Sequence, residues 1–254
     1  MRPVAQARDL IASLEKGLPE IEAFDDDRPH QTIAEVAARC GLTRAAARRY
    51  LLALQHLGCA RSAGKQYSLT PKVLRLGQSY MVSAPLSRIV QPELNRRAGM
   101  LKETSSAGVL DGNAVLCVAA LSIARIVSAT LQLGTRVPAY CTSNGHVLLG
   151  ALSDIEADAW IARQSLRSLT PHTIVQAQRL RAEIARARAQ GHAALDQELE
   201  PGLRTLAVPL MNARGDVLAA INASVNAAQV SMDQLVERCL PALLQTQANL
   251  KAML

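Results

Sequence analysis

The chain has 254 residues, of which 49% are hydrophobic and 2% aromatic, with a formal net charge of +7, so two modest domains with aliphatic cores are expected. No apolar run reaches the ~18 residues that a membrane span requires, and the N-terminal stretch contains acidic residues and no apolar core, unlike a secretory signal. The five cysteines are scattered and odd in number, which favours reduced thiols in a cytoplasm over a disulfide framework.

The positive charge is unevenly placed. The 57 residues from Val36 to Pro92 contain no Asp or Glu but nine cations. These cations are Arg39, Arg44, Arg48, Arg49, Arg61, Lys65, Lys72, Arg75 and Arg88. Such a local basic surface favours a polyanionic partner. A solvated basic face with no partner is the alternative.

The first third of the chain has the pattern of a winged helix-turn-helix. Apolar residues at helical spacing predict a helix over Ser13–Phe24. A capping-box pattern begins a short helix over Thr32–Cys40, and Gly41 supplies the tight turn that follows. A third helix is predicted from the N-cap Thr43 to the stop at Gly58. The segment Cys59–Thr70 then reads as a hairpin, which would be the wing.

The third helix carries three arginines in its first two turns, although cations there oppose the helix macrodipole. In a helix-turn-helix this element enters the major groove of DNA, and arginine reads guanine or grips phosphate. The candidate DNA-binding residues are Thr43, Arg44, Ala45, Arg48, Arg49, Arg61, Lys65 and Gln66. The alternative is a winged helix that contacts a protein.

A linker helix near Leu76–Ala84 is expected to join this domain to a second one. The predicted boundaries are residues 1–75 for the winged helix-turn-helix, 76–85 for the linker and 86–254 for the second domain.

The second domain alternates strands and helices in a pattern typical of an antiparallel sheet with flanking helices. This makes the fold class α+β. Three capping patterns support its helix starts, at Thr142 or Ser143, at Ser153 with Glu156, and at Ser231 with Gln234. The expected strands form a hairpin over Thr104–Leu121 that turns at Asp111–Gly112, a strand over Ala124–Gly134, and a second hairpin over Thr205–Val225 with its loop at Asn212–Asp216. The expected helices lie in Tyr140–Leu152, after Ser153 and in Thr173–Gly191. A last helix, with a kink at Pro241, closes the chain.

Several phrases resemble one family, the IclR-type transcriptional regulators. The N-terminal ones are "TIAEVAARCGLTRAAARRYLLALQHLG" and "YSLTPKVLRLG"; the C-terminal ones are "GTRVPAYCTSNGHVLLG", "DQELEPGLRTLAVPL" and "RGDVLAAINASV". The C-terminal phrases resemble the β-ketoadipate-pathway branch (PcaR/PcaU/PobR-like), which regulates aromatic-acid catabolism. The resemblance implies a winged helix-turn-helix, a linker helix and a GAF-like effector domain, as a homodimer or dimer of dimers on a double-stranded DNA operator. A regulator of another carboxylate pathway, or a metabolite sensor whose winged helix binds a protein, are the alternatives.

The resemblance also implies a pocket against the sheet for a small carboxylate, expected to be an aromatic acid. The residues "CTSNG" offer backbone N–H groups at a helix start, which suits an anion, and Asn222 and Ser224 share one strand face. The candidate effector-binding residues are Ser105, Ser106, Val109, Tyr140, Ser143, Asn144, Gly145, His146, Leu203, Arg204, Thr205, Asn222 and Ser224.

Four of these candidates have other interpretations. Asn222 and Ser224 can instead face solvent on a plain hairpin. His146 can be a satisfied helix histidine, and Arg204 either an anion clamp or the ion-pair partner of a neighbour such as Glu200. In the related branch, a Met and a basic residue usually stand where this chain has Asn144 and His146, which predicts a shifted ligand preference if both line the pocket.

The sequence does not favour an enzyme. It has no GxSxG, HExxH or Walker motif, and Cys141 with His146 is far short of a zinc set. Neither a cofactor nor a metal is expected, and Cys141 is interpreted as buried packing. The basic segment "RLRAEIARARAQ" is interpreted as a solvated face rather than as a second nucleic-acid helix.

Overall fold

The computed structural model of the protein describes residues 11–25, 27–83, 85–101, 103–121 and 132–254. The chain divides into two compact units, one ending at Tyr80 and one beginning at Met81. The helix α4 (Leu74–Ser83) contains this division. The boundaries predicted at residues 75 and 85 stay a prediction. No helix in the described ranges combines the length and the apolar character needed to cross a bilayer.

The described part of the first unit, before α4, contains the three predicted helices and the predicted hairpin, to which an unpredicted two-residue strand, Gln31–Thr32, adds a third strand. Its elements are α1 (Ala12–Glu22), β1 (Gln31–Thr32), α2 (Ile33–Cys40), α3 (Arg44–His56), β2 (Ala60–Ala63) and β3 (Gln66–Leu69), with sheet order β1-β3-β2. The capping box is confirmed, since the Thr32 hydroxyl accepts from the Glu35 N–H and the Thr32 N–H donates to the Glu35 carboxylate. Gly41 has the left-handed φ of +64° that turns the chain into α3.

The core of this unit is small and aliphatic. Val36, Ala37, Ala47 and Leu51 are its buried residues, together with Tyr67 from the wing. The inner face of α1 differs from the apolar face seen in the sequence. Leu14 and Leu18 are exposed, whereas Glu20 and Ala23 are buried.

The second unit is built on a six-stranded antiparallel sheet of order β6-β5-β4-β9-β8-β7. Its strands are β4 (Thr104–Asp111), β5 (Ala114–Leu121), β6 (Arg136–Pro138), β7 (Ala193–Asp196), β8 (Leu203–Met211) and β9 (Val217–Asn226). Its helices are α5 (Pro85–Leu101), α6 (Ser143–Gly150), α7 (Asp154–Ala162), α8 (Ala177–Gln190) and α9 (Met232–Lys251). The α+β class and the antiparallel sheet with flanking helices are confirmed.

Alternation along each strand separates two cores. Helices α5 and α9 cover one face with residues such as Val90, Leu94 and Leu243, and β9 contributes Ile221 to this core. Helices α6, α7 and α8 cover the other face, where Leu149 lies. Successive side chains of β9 therefore point to opposite faces, and those on either side of Ile221 in the sequence point toward α6.

The predicted hairpins and capping boxes of this unit are confirmed. The first hairpin turns at Gly112, with φ of +63°, and the second loops from Asn212 to Asp216. The Ser153 and Ser231 capping boxes both form. Helix α9 continues without a break through Pro241.

Two strands differ from expectation. Most of the strand predicted over Ala124–Gly134 lies outside the described residues, and the described strand next to β5 is Arg136–Pro138. The short strand β7, which pairs with β8, was not predicted. It follows directly after Gly191, which ends α8.

Candidate functional sites

Helix α3 presents its arginines to solvent. Arg44, Arg48 and Arg49 are exposed, as is Ala45. Ala47 and Leu51, on the other side of the helix, belong to the buried core of this unit. Within the described ranges none of the three guanidinium groups is in an ion pair. These side chains are therefore available to a partner.

The wing lies beside the same face of α3. The Gln55 amide donates to the Ser62 hydroxyl at 3.2 Å, which joins the helix to β2. The Arg61 guanidinium donates to the Ser68 hydroxyl at 3.2 Å, which orients it across the hairpin. Lys65 and Gln66, at the tip, are exposed.

The cations of the segment from Val36 to Pro92, which contains no Asp or Glu, do not all lie on one surface. Arg39 pairs with Asp25 at 2.7 Å, and the Lys72 ammonium donates to the Leu57 carbonyl at 2.7 Å, at the end of α3. Arg49 lines a groove with Ser13 and Tyr50, on a different flank of α3 from Gln55. Thr43 uses its hydroxyl to accept from the Ala46 N–H at 3.2 Å, as the N-cap.

A cavity lies between the sheet and the start of α6 in the second unit. Seven of the predicted effector-binding residues line it: Ser106, Ser143, Asn144, Leu203, Thr205, Asn222 and Ser224. Asn222 and Ser224 are buried, at 4% and 5% exposed. The solvent-facing interpretation of these two residues is therefore wrong.

The first turn of α6 leaves polar atoms unused. Thr142 is the N-cap, since its hydroxyl accepts from the Gly145 N–H at 3.2 Å. The Ser143 hydroxyl and the Asn144 side-chain oxygen are buried and have no hydrogen-bond partner among the described residues. The first N–H groups of a helix also lack intrahelical acceptors. This end of the cavity is thus rich in unsatisfied hydrogen-bonding groups.

The strand side of the cavity is already ordered by hydrogen bonds. The Asn222 side-chain oxygen accepts from both the N–H and the hydroxyl of Ser106 at 2.9 Å. Its amide donates to the Ser224 hydroxyl at 3.4 Å. These bonds tie β4 to β9 and fix the polar floor of the cavity.

The other six predicted effector residues lie outside the lining. Ser105 pairs with Ala223, and Val109 packs with the α5 and α9 core, so both belong to the opposite face. Tyr140 donates its hydroxyl to the Arg167 carbonyl at 2.8 Å. Gly145 serves packing, because a Cβ there would lie 2.0 Å from the Ala139 oxygen.

His146 and Arg204 take structural roles. His146 is 1% exposed and pairs with the Tyr140 carbonyl at 2.8 Å; burial lowers its pKa, so the ring stays neutral. Arg204 pairs with Asp196 at 2.8 Å and donates to the carbonyls of Ala227 and Val230. The anion-clamp interpretation of Arg204 is wrong, and so is Glu200 as its partner.

Sequence reasoning missed more than half of the lining residues. The missed residues are Ala107, Gly108, Val115, Cys117, Val137, Cys141, Thr142, Leu195, Glu198 and Leu199. Cys141 is 1% exposed, in agreement with its interpretation as packing. The alternation of Gly108 with the predicted Ser106, and of Val115 with Cys117, is a strand-face signal that can identify three of them: Gly108, Val115 and Cys117.

The chemistry of the cavity is that of binding. Burial raises the pKa of Cys117 to about 11 and that of Cys141 to about 12, so both remain thiols near neutral pH. No group of three or more potential metal ligands occurs in the described part of the chain. The lining offers hydrogen bonds and an apolar wall, without an activated nucleophile.

A winged helix with unpaired arginines and a separate unit with a lined cavity define a ligand-sensing DNA-binding regulator. Residues 13–64 match the IclR helix-turn-helix domain, and residues 78–251 match the bacterial transcriptional regulator IclR C-terminal domain. The chain belongs to the IclR family of bacterial transcriptional regulators, in its PcaR/PobR-like branch.

Three relatives illustrate the similarity. The Pca regulon regulatory protein of Pseudomonas putida is 42% identical over 95% of this chain and 84% of its own length. A crystal structure described as a transcriptional regulator from Rhodococcus sp. RHA1 is 40% identical, covers 96% of this chain and 98% of that one, and has a TM-score of 0.83. The inducer-binding domain of an Acinetobacter PobR double mutant, in complex with 3-hydroxybenzoic acid, is 30% identical, covers 66% of this chain and 98% of that one, and has a TM-score of 0.63.

Proposed function

We propose that the protein is a cytoplasmic regulator of aromatic-acid catabolism genes that binds an operator through α3 and the wing and senses a small aromatic carboxylate in the cavity beside α6. The observation that carries the DNA half is the exposure of Arg44 and Arg48 without an ion-pair partner in the described ranges. Cations at a helix start oppose the macrodipole, so a polyanionic partner accounts for them better than folding does.

The DNA-binding residues divide by role. Arg44, Ala45 and Arg48 approach base edges in the major groove, since the first turns of a recognition helix lie there. Arg61, Lys65 and Gln66 on the wing contact backbone or minor groove. Thr43 and Arg49, at the start and on the other flank of α3, contact phosphates.

The effector enters with its carboxylate toward the start of α6 and its ring against the apolar wall that includes Leu203. The unpartnered Ser143 and Asn144 side-chain oxygens mark this end, and helix N-termini suit anions. The Acinetobacter PobR domain, in complex with 3-hydroxybenzoic acid, supports an aromatic acid here.

The cavity of about 30 Å³ has room for only one or two water molecules. An aromatic acid therefore requires the walls to move apart. A ligand that binds the expanded form more tightly shifts the population toward that form, which gives the binding event a route to DNA affinity.

The regulator acts as a homodimer or dimer of dimers. A symmetric pair of recognition helices would contact half-sites about 34 Å apart along the duplex. Enzymatic activity forms no part of the proposal, because the cavity holds buried thiols rather than thiolates, and the family members it resembles are regulators.

The test is fluorescence anisotropy with the DNA that flanks its own gene, at rising salt. Binding that weakens steeply with salt is expected, since phosphate contacts release counterions. Thermal-shift screening with 4-hydroxybenzoate, protocatechuate, β-ketoadipate and glyoxylate then identifies the effector class. Salt-insensitive or absent DNA binding favours the protein-partner alternative, and a response only to glyoxylate favours another carboxylate pathway.

A further inference from the structure

The cavity beside α6 has an unusual charge for a site that receives an anion. Its described lining contains one carboxyl group, that of Glu198, and no Lys, Arg or His. Arg204, the nearest candidate for a clamp in the sequence, is held by Asp196 instead. An incoming carboxylate therefore meets a carboxyl group and no balancing cation.

Glu198 is fixed at the wall of the cavity. It lies two residues beyond β7, between the lining residues Leu195 and Leu199. The Thr173 hydroxyl donates to its backbone carbonyl at 2.6 Å. The residue as a whole is 9% exposed. Within the described residues, its carboxyl receives one long hydrogen bond of 3.4 Å, from the Ile174 N–H.

The charged groups that face Glu198 do not neutralise it. Helix α8 carries Arg179, Arg186 and Glu183, whose charges act on Glu198, but Arg186 is in an ion pair with Glu183 and Arg179 is exposed. Burial therefore prevails and raises the pKa of Glu198 to about 7.

Glu198 lines the same cavity as Cys141 and Thr142. Burial raises the pKa of the Cys141 thiol, and the charge of Glu198 raises it further. Cys141 directly precedes Thr142, the cap of α6. The Glu198 carboxyl therefore shares the cavity with the start of α6, where the effector carboxylate is proposed to bind.

Two carboxylates in one cation-free cavity do not both stay ionised, because each disfavours the charge of the other. The bound state therefore keeps one proton between Glu198 and the effector. A protonated carboxyl can donate a charge-assisted hydrogen bond to a carboxylate. A second carboxylate on the effector would find no further donor of this kind and no cation.

We propose that Glu198 determines the charge class of the effector: in its neutral form it shares its proton with the single carboxylate of an aromatic monoacid, and the cavity thereby excludes dicarboxylates. This inference rests on the proposed function, since it assumes that the cavity is the effector site. The site then binds a proton from solvent together with the effector.

Isothermal titration calorimetry with 4-hydroxybenzoate, in two buffers of different ionisation enthalpy at pH 7.5, measures that proton. The wild type is expected to take up between about half a proton and one proton per site. Its dissociation constant should rise by close to tenfold for each pH unit above Glu198's own titration. Glu198→Gln, which keeps the shape and a donor, should bind without proton uptake and without this pH dependence.

Glu200→Gln is the matched control, because Glu200 is two residues away and outside the lining; it should behave as the wild type. β-Ketoadipate, a dianion, should bind the wild type at least about tenfold more weakly than 4-hydroxybenzoate, the expected effect of one unbalanced charge. Proton-silent binding of 4-hydroxybenzoate by the wild type, or equal affinity for both acids, overturns the inference.

A titration of the ligand-free protein provides a second test in case Glu198→Gln does not fold. Carbon-13 NMR of the wild-type glutamate carboxyls should show two buried groups that titrate near pH 7, Glu20 and Glu198. Glu20→Gln should leave the Glu198 titration alone in that range, and titration of every remaining glutamate of this variant near 4.5 overturns the inference. If neither acid binds the wild type or Glu200→Gln, the proposed aromatic-acid function fails and the inference fails with it. If only the inference fails, 4-hydroxybenzoate still binds to the wild type, but without uptake of a proton.

Discussion

At the scale of single residues, Ser143 buries a hydroxyl that finds no partner in the described chain. A buried unsatisfied polar group costs about 1–3 kcal/mol. Ser143→Ala should therefore raise the free energy of unfolding of the ligand-free protein by about 1 kcal/mol, while it weakens effector binding. Denaturant titration and calorimetry on the same preparation measure the two effects.

Ser106→Ala is the control for that prediction. Its hydroxyl donates to Asn222 at 2.9 Å, so its removal should lower the free energy of unfolding by about 1 kcal/mol. A loss of stability in Ser143→Ala, equal to that in Ser106→Ala, would show that the Ser143 hydroxyl has a structural partner after all.

The proposed DNA-binding residues are expected to make different kinds of contact, which single substitutions can separate. Arg48→Ala should weaken operator binding by about 1–3 kcal/mol and relax the preference for one base, if it reads a base edge. Lys65→Ala should weaken binding about equally on all sequences and lower the salt slope by about one. Anisotropy titrations on operator and scrambled duplexes measure both effects.

The exposed Arg179 on α8 lies in the other unit and serves as the control, so Arg179→Ala should leave both DNA titrations unchanged. An Arg48→Ala protein with wild-type affinity and wild-type specificity would remove Arg48 from the interface.

At the scale of elements, helix α6 depends on close approach at Gly145. A Cβ there would lie 2.0 Å from the Ala139 oxygen and 2.6 Å from its carbonyl carbon. Because these are backbone atoms, the helix start has to move, and Gly145→Ala should cost at least about 2 kcal/mol of unfolding free energy.

Gly77 in α4 gives the contrast, since a Cβ there meets nothing within 4 Å. Gly77→Ala should raise the free energy of unfolding by about 0.5–1 kcal/mol, because alanine is the better helix former. Thermal unfolding of both variants tests the pair. A Gly145→Ala protein as stable as the wild type would show that α6 can shift without cost.

Helix α1 contains a buried acid, Glu20. Within the part of the chain that the structure describes, neither Glu20 carboxyl oxygen has a hydrogen-bond partner, and burial raises the Glu20 pKa from 4.5 to about 7. The folded state then binds the proton more tightly than the unfolded state, so stability falls as pH rises from about 4.5 to about 7 and stays low above that. The loss is on the order of 1–3 kcal/mol.

Amide hydrogen exchange in α2 and α3 of the full chain, at pH 5 and pH 8, measures this loss once the intrinsic exchange rates are corrected. Glu20→Gln should remove the pH dependence in that window. Glu22→Gln, at an exposed position of the same helix, should keep it. A wild type with equal protection at both pH values would contradict the prediction.

Local sequence signals predicted the elements well, because they act over a few residues. The capping boxes at Thr32, Ser153 and Ser231 and the turn at Gly112 all formed where their patterns indicated. The face of α1 was not predictable in this way. Burial of Glu20 in place of Leu14 depends on how α1 meets α2 and α3, which no spacing within α1 encodes.

Residues of the effector site could be predicted only where the period-two alternation of a strand fell within a sequence phrase that resembles the family. Asn222 and Ser224 followed from period two, whereas Glu198 lies just beyond the short strand β7, whose four residues carry a weak strand signal. Arg204 and His146 looked like ligand contacts because of their side chains, yet their partners, Asp196 and the Tyr140 carbonyl, were set by strand pairing and by the fold of the loop before α6.

At the scale of the whole molecule, two units with separate cores carry separate binding surfaces on one chain. The unit that ends at Tyr80 has its own small core, and the unit from Met81 has two larger ones on the faces of one sheet. A ligand changes DNA affinity only through a difference in its own affinity between two states of the protein. The cavity beside α6, of about 30 Å³, is where the proposed effector would make that difference.

That linkage is reciprocal, which gives a test of the whole mechanism. If 4-hydroxybenzoate changes operator affinity by a factor of about 5–150, the operator must change the affinity for 4-hydroxybenzoate by the same factor. Anisotropy with saturating acid measures the first factor, and calorimetry with saturating operator measures the second. Ser143→Ala should weaken binding of the acid. If the start of α6 transmits the response, the same substitution should also reduce both affinity factors equally, toward a value of one. Unequal factors would mean that the acid acts at a site, or through an oligomer, that the operator titration does not sample.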